Sequence, residues 1–179
     1  MKLSILICSL PDRMSRASVL IEKLCAQAEG KQVEVLYLGD NKSMSTGEKR
    51  NRLVGIARGE YVEFVDDDDD VAEDYVDQQL AVIDLPLKPD VINFQVIYHC
   101  RDFKRPVLYS LDYVKDQNLP DKFLRIPNHL MCIKRSLARI VPYPDTSFGE
   151  DAEYARGIWR HLITEYQINK VLYHYLDYK

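Results

Sequence analysis

Five consecutive aspartates, at residues 66–70, directly follow an apolar segment at residues 61–65. Carboxylate oxygens are the ligands that Mg²⁺ and Mn²⁺ prefer. Alternate residues leaving a strand point the same way, so we expect Asp66 and Asp68 to face one site. A solvated acidic loop is the alternative for such a run, but its position at the end of a strand favours a functional site. Because adjacent carboxylates repel one another, we expect a bound cation to neutralise them.

Three other groups of charged residues are candidates for chemistry. Asp151 follows a Gly-Glu pair at a predicted helix start, either as a general base or as an acid that stabilises the helix dipole. Residues 48–52 place cations at the start of another helix, either as an anion site or as surface charge. His174 lies between two tyrosines on the last predicted strand, either as a ligand or as a structural histidine.

An alternation of short apolar segments and amphipathic segments positions these groups. The first half of the chain is predicted to form strands at residues 3–8, 33–38, 61–65 and 91–98, with helices at residues 13–30, 48–58 and 71–83. The connections are long enough for a parallel sheet, which binds ligands beyond the carboxyl ends of its strands. Polar segments lie at three of those ends, at residues 9–13, 39–41 and 66–70.

The second half of the chain has a less regular pattern. Strands are predicted there at residues 107–111, 130–133 and 168–176, and helices at residues 136–140 and 149–162. Residues 99–139 contain nine basic and four acidic residues with aromatic residues between them. This segment could face a polyanion or simply solvent.

Composition limits the class of protein. The chain has 179 residues, of which 46% are hydrophobic and 29% charged, as in one soluble globular domain. A disordered tail, a collagen-like fibre and a multi-span membrane protein are excluded. Residues 60–90 carry twelve acids and one base although the whole chain has a net charge of only −4, so an acidic site is expected inside a mildly basic shell.

The cysteines and the N-terminal residues bear on the compartment. The four cysteines form no CxxC pair, and Cys8, Cys25 and Cys132 are expected to be reduced core residues. The apolar run at residues 3–10 is too short for a signal peptide, and no segment is long enough for a spanning helix. We therefore expect a cytoplasmic protein, and peripheral contact with a membrane stays open.

Five segments, taken in chain order, resemble the motifs of glycosyltransferase family 2. They are residues 3–9, 39–41, 49–51, 59–69 and 149–151. The resemblance implies the GT-A fold, an α/β Rossmann-like sandwich with a mostly parallel central sheet flanked by helices. It also implies one domain over residues 1–179.

That domain is expected to have a nucleotide-sugar-binding half at residues 1–98 and an acceptor and catalytic-base half at residues 99–179. The implied activity is inverting, metal-dependent transfer of a sugar from a nucleoside-diphosphate sugar, expected to be a UDP-sugar, to an acceptor hydroxyl. The resemblance leaves three kinds of acceptor open: a glycan, a lipid carrier and a modified nucleic-acid base. A homo-oligomer also stays open.

The resemblance assigns roles residue by residue. Asp151 would be the catalytic base, and Asp68 would bind the divalent metal, Mn²⁺ or Mg²⁺, with His174 completing its shell. Within the donor site, Asp40 would contact the base, Arg50 the diphosphate and Asp66 the ribose. The full set of implied donor-binding residues is Ser9, Pro11, Asp40, Arg50, Asp66 and Asp67.

Two departures from the family pattern narrow these expectations. Gly39-Asp40 stands where the family has an Asp-Asp pair, and the Gln-x-x-Arg-Trp motif of processive members is absent, which argues against a polysaccharide synthase. Two other functions remain as alternatives. One is a nucleotidyltransferase on a similar fold, although the chain lacks a Gly-rich triphosphate loop. The other is a non-catalytic nucleotide-sugar-binding protein.

Overall fold

The apolar segments of the chain assemble into one ten-stranded sheet in the computed structural model, which describes residues 1–177. The strands are β1 (Leu3–Ser9), β2 (Val33–Gly39), β3 (Tyr61–Phe64), β4 (Asp70–Val71), β5 (Val91–Cys100), β6 (Lys104–Tyr109), β7 (Gln117–Asn118), β8 (Phe123–Arg125), β9 (Cys132–Lys134) and β10 (Glu165–Asp177). The helices are α1 (Met14–Ala28), α2 (Thr46–Ile56), α3 (Tyr75–Ile83), α4 (Arg135–Ala138) and α5 (Glu150–Ile158).

The strands follow the order β2-β1-β3-β9-β5-β6-β8-β7, and β10 lies beside β5 and β4. The two longest pairings, β1 with β2 and β5 with β10, are parallel, and β1 is also parallel to β3. The carboxyl ends of β1, β2 and β3 therefore meet at one edge of the sheet. This architecture confirms the predicted α/β fold with a mostly parallel central sheet flanked by helices.

Several predicted elements have different bounds in the structure. Residues 70 and 71 form β4, which pairs antiparallel with β10, so the third helix begins at Tyr75 and not at residue 71. The short strands β7 and β8 lie in a segment where no strand was predicted. The expected boundary between two halves, at residue 98, falls inside β5.

The cysteine prediction is confirmed for Cys132 and wrong for Cys25. All four cysteines are free, but only Cys132 is buried, and Cys25 is exposed on α1. The buried face of α1 consists of Ala17, Leu20 and Leu24, which follow the helical repeat and leave the neighbouring position in solvent. Among residues 1–177, no helix combines the length and apolar character needed to cross a membrane.

A buried carboxyl group lies in the core under β3. Glu63 is enclosed between β3 and α3, where its Oε1 accepts a hydrogen bond of 2.9 Å from Gln79 Nε2. Its Oε2 has no hydrogen-bond partner among the described residues. Burial disfavours the charged form and raises the pKa of Glu63 from 4.5 to about 8.

We expect Glu63→Gln to reduce the loss of stability with rising pH. The unfolded chain releases this proton near pH 4.5 and the folded protein only near pH 8, so Glu63 costs stability increasingly between those values. Urea unfolding at pH 5 and at pH 8 measures the difference. Glu60→Gln, at an exposed residue paired with Lys88, is the control. An unchanged pH dependence in Glu63→Gln would contradict the assignment.

Candidate functional site

The acidic run leaves β3 at the edge where the parallel strands end. Tyr173 of β10 holds the run at two points, because its hydroxyl accepts a hydrogen bond from the Asp66 backbone N–H at 3.0 Å and donates to Asp69 Oδ2 at 2.6 Å. The backbone N–H of Leu176 also donates to Asp69 Oδ1, at 2.7 Å. The loop is therefore fixed by β10, which comes from the far end of the chain.

Cationic side chains of the protein itself neutralise most of the run. Arg50 Nη2 donates to Asp66 Oδ1 at 3.0 Å. Arg13 Nη1 lies 3.0 Å from Asp67 Oδ1 and 3.1 Å from Asp68 Oδ2. In the same way, Lys23 of α1 pairs with Asp70. Four of the five carboxylates thus have a cationic partner. Asp69 has none among the described residues; it accepts hydrogen bonds from Tyr173 and Leu176, and burial raises its pKa to about 8.

These partners affect the carboxyl groups differently. Burial alone would raise the pKa of Asp66, but Arg50 and His129 more than offset it and hold that pKa below its usual range. Burial raises the pKa of Asp68, and Arg13 offsets only part of the effect. The ionised form is therefore favoured at Asp66, and protonation is easier at Asp68 than at Asp66.

A second ion pair lies where β2 ends. Lys49 Nζ donates to Asp40 Oδ1 at 2.7 Å and to the carbonyl oxygen of Ser9 at 3.1 Å. The other Asp40 oxygen, Oδ2, accepts from Ser43 Oγ and from the Met44 backbone N–H. The hydrogen bond from Lys49 is the main reason that the pKa of Asp40 is well below its usual range. Both oxygens of the predicted base-binding carboxylate therefore have protein partners.

Helix α2 carries Lys49 and Arg50 and starts after a serine N-cap. Ser45 Oγ accepts a hydrogen bond of 2.9 Å from the Glu48 backbone N–H, which satisfies one free donor at the helix start. The first turn of α2 packs directly on residues 144–147. A Cβ atom on Gly47 would lie 1.8 Å from the carbonyl oxygen of Pro144, so only glycine fits this contact. The position of α2 is therefore coupled to the segment that precedes α5.

A polar cavity of about 690 Å³ opens at the ends of β1, β2 and β3. Its charged lining residues are Arg13, Lys42, Lys49, Arg50, Asp66, Asp67, Asp68 and Glu150. Ser9 also lines it and donates from Oγ to Asp67 Oδ2 at 2.5 Å. Cations and carboxylates in one cleft suit a ligand that carries phosphate groups and polar rings.

An aromatic cavity of about 730 Å³ lies on the other side of Arg50. Its rings are Tyr98, Phe103, Tyr109, Phe123, Phe148 and Tyr175. Asp151, in the first turn of α5, lines this cavity, and its Oδ1 accepts from the Ala152 backbone N–H at 2.8 Å. Gly149 precedes the helix with a φ of +79°, a conformation that favours glycine and turns the chain into α5.

The two cavities share a wall built around Arg50. Arg50, Asp66 and Glu150 line both cavities, and Arg50 Nε lies 3.5 Å from Glu150 Oε1. The guanidinium carbon lies 4.7 Å from the centre of the Phe64 ring. Nε and Nη1 of this buried arginine have no hydrogen-bond partner among residues 1–177. A buried cation with two donor atoms that make no hydrogen bond thus lies between the polar cavity and the aromatic cavity that Asp151 lines.

The structure brings most of the predicted site residues to these cavities. Ser9, Arg50, Asp66, Asp67 and Asp68 line the polar cavity, and Asp151 lines the aromatic cavity.

Three predicted site residues lie elsewhere. Asp40 contacts the polar cavity only through Lys49, Ser43 and Met44. Pro11 is exposed, in a 3₁₀ turn at the start of α1. His174 Nδ1 lies 3.0 Å from His99 Nε2, and His174 is not among the described residues that line either cavity.

Sequence reasoning missed three residues that complete the site. Arg13 stands in a polar segment after β1, a position that could have identified it. Tyr175 lies two residues after Tyr173, which hydrogen-bonds to the acidic run, and lines both cavities. His129 Nε2 lies 3.4 Å from Asp66 Oδ2, and its Nδ1 is buried without a partner among the described residues. Nothing in the sequence around His129 indicates this contact.

Comparisons with known proteins identify the fold of this chain. No known family's sequence profile matches the chain, and no curated protein matches it. The structure is similar to that of S. aureus TarS residues 1–349 in complex with UDP-GlcNAc, with a TM-score of 0.71 and 16% identity over 100% of this chain and 59% of that one. The complex of the same TarS fragment with UDP is similar with a TM-score of 0.71 and 16% identity, over 100% of this chain and 61% of that one. This chain therefore spans about 60% of the TarS fragment, and the similarity confirms a GT-A-type fold.

We expect Lys49→Met to raise the pKa of Asp40 towards the ordinary aspartate value. The substitution removes the hydrogen bond and the charge that stabilise the ionised form. Carboxyl ¹³C NMR across an acid titration measures the shift. Lys42→Met is the matched control, because Lys42 lines the same cavity but has no ion pair among residues 1–177. Equal Asp40 titration in both variants would contradict the assignment.

Proposed function

We propose that the protein is an inverting, metal-dependent glycosyltransferase related to family 2, with a UDP-sugar as donor. The observation that carries the proposal is Arg50, a buried cation on the wall between the polar and the aromatic cavity, whose Nε and Nη1 make no hydrogen bond with the described residues. A charge in that place suits a diphosphate that leaves from one side while an acceptor enters from the other. The binding of UDP and UDP-GlcNAc by the similar TarS fold supports this donor class.

In this proposal the donor occupies the polar cavity. Arg50, Lys49 and Arg13 supply the positive charge that the diphosphate requires. Asp66 faces the ribose, while Ser9 and Asp67 form the floor near the base. The role of Asp40 in binding the base stays a prediction. Through Lys49, its carboxylate positions a cation at the cavity wall.

Asp151 is the proposed catalytic base in the aromatic cavity. The acceptor oxygen attacks the anomeric carbon and passes its proton to the Asp151 carboxylate. The bond between the anomeric carbon and the diphosphate oxygen breaks, and the diphosphate leaves with the electron pair. Attack from the aromatic cavity, opposite the leaving group, inverts the configuration.

A divalent ion fits the proposed site only if the substrate supplies most of its ligands. Among residues 1–177, no three His, Cys, Asp or Glu side chains form a metal-binding group. Mg²⁺ is often held by one or two carboxylates together with substrate phosphates. Asp68 suits that mode, because its side chain is 27% exposed and lines the polar cavity. When bound, Mn²⁺ or Mg²⁺ would neutralise charge on the leaving diphosphate. His174 as a further ligand stays a prediction.

We expect Asp68→Ala to abolish any effect of Mn²⁺ on UDP binding, because it removes the carboxylate that would anchor the ion. Isothermal titration calorimetry with UDP, in Mn²⁺ and in EDTA, measures the affinities. Asp70→Ala is the control, since Asp70 pairs with Lys23 and does not line the polar cavity. Wild-type enhancement by Mn²⁺ in Asp68→Ala would contradict the metal assignment. Absence of UDP binding by the wild-type protein would contradict the proposed donor.

We expect Asp151→Asn to slow UDP release from a UDP-sugar by about 100-fold or more, the contribution typical of a general base. Its affinity for UDP should stay unchanged, because Asp151 is not among the residues lining the polar cavity. A coupled assay of UDP release, with water or an added alcohol as acceptor, measures the rate. Glu153→Gln, in the same helical turn, is the control. A non-catalytic protein would bind UDP and release none from the sugar in any variant.

A further inference from the structure

The basic residues of the segment at residues 99–139 have two different roles in the structure. Lys134 pairs with Asp90, whereas Arg135 and Arg139 donate to backbone carbonyl groups near the end of α2, so these three stabilise the fold. Arg125 lies against the Phe123 ring, and its guanidinium donates to the carbonyl oxygens of Gln117 and Leu124 and to Asn118 Oδ1, so it also stabilises the fold. Arg105 lies instead against two aromatic rings that line the aromatic cavity, and its charge is available to a ligand there.

Tyr98 organises the rings of the aromatic cavity. It stacks on Tyr175 with ring centres 5.5 Å apart and planes 26° apart. Phe103 and Phe123 pack on it with centres at 5.9 and 5.7 Å. Its hydroxyl donates to Asp177 Oδ2 at 2.5 Å, which fixes the ring. The cavity thus has a preformed wall of flat apolar faces, suited to stacking against a planar ring.

Arg105 places an unpaired cation on this wall. Its guanidinium carbon lies 4.5 Å from the Phe103 ring centre and 5.3 Å from the Phe123 ring centre. Within residues 1–177 the guanidinium of Arg105 has neither an ion pair nor a hydrogen bond. Arg125 lies 5.0 Å from the Phe123 centre and lines the cavity. Rings occupy the face of the Arg105 guanidinium, so its N–H edge remains available to a phosphate.

Two other features complete the cavity. His129, a buried histidine, carries an unpartnered Nδ1 at the inner end, close to Asp66. Phe148 lies at the mouth beside the segment that leads into α5, with 94% of its surface exposed. An exposed ring beside a stacking wall offers a second surface for a neighbouring base.

We propose that the acceptor is a hydroxyl group carried by an unstacked nucleobase of a single nucleic-acid strand. The base ring enters the aromatic cavity, its hydroxyl reaches Asp151, and a flanking phosphate contacts Arg105. This inference rests on the proposed function, because it names the acceptor of that reaction. A neutral saccharide ring would also stack on the wall, but it would leave the unpaired cation without a counter-charge.

Fluorescence anisotropy with a labelled single-stranded oligodeoxynucleotide that contains 5-hydroxymethylcytosine tests the inference. We expect saturable binding at low salt that weakens as salt is added. Arg105→Gln should reduce the slope of log affinity against log salt by about 0.7, the value for one phosphate contact on a single strand. Arg160→Gln removes an exposed charge outside both cavities and should leave the slope unchanged.

A second pair of variants tests stacking without disturbing the core. Phe148→Ala should weaken oligonucleotide binding by about tenfold, as expected for one lost base contact. Ile163→Ala removes an apolar side chain that is 85% exposed and lies outside both cavities, so it should have no effect. Calorimetry with UDP on the same variants should show unchanged donor binding.

The two proposals fail in different ways. A protein that binds UDP but not the oligonucleotide overturns the acceptor assignment and leaves the glycosyltransferase proposal standing. Equal binding by Arg105→Gln and Arg160→Gln also overturns it, as does preferential, Arg105-dependent binding to vesicles of anionic phospholipid. Failure to bind UDP overturns the proposed function itself. Transfer of sugar to the 5-hydroxymethylcytosine strand, and not to the cytosine strand, supports both.

Discussion

The neutralisation of five adjacent carboxylates is the constraint on which the site depends. The side chains of residues 66–70 range from buried to half-exposed where the chain leaves a central strand, so their charges repel one another there. Arg13, Lys23 and Arg50 pair with four of the five carboxylates, whereas Asp69 accepts hydrogen bonds from Tyr173 and Leu176 and has a raised pKa. Of these cations, Arg13 and Arg50 also line the cleft in which a diphosphate is proposed to bind.

The alternation of elements in the first half was predictable because its signals are local. β1, β2 and β3 are short apolar runs, and α2 follows the Ser45 N-cap. β4 could not be predicted, since its two residues become a strand only by pairing with β10 about a hundred residues later. β7 and β8 are likewise too short to show a period of two.

The predicted site residues likewise divide into those with a local sequence signal and those placed by contacts between distant parts of the chain. Asp66, Asp68 and Arg50 were identifiable because they stand at a strand end and a helix start. The contact of His129 with Asp66, and the pairing of His174 with His99, depend on how distant strands meet in space. Side-chain direction on β10 sets Tyr173 and Tyr175 towards the acidic loop and the cavities, and His174 between them towards His99.

The contact between Gly47 and Pro144 leaves no room for even a methyl group. It joins the helix that carries Lys49 and Arg50 to the irregular segment that leads into Asp151. Chimeras that graft the C-terminal half of another protein of this fold onto this N-terminal half would therefore require an incoming loop that reproduces that backbone approach. Under the proposed function, this contact joins the helix of the donor site to the helix of the catalytic base, so the two sites are not independent modules.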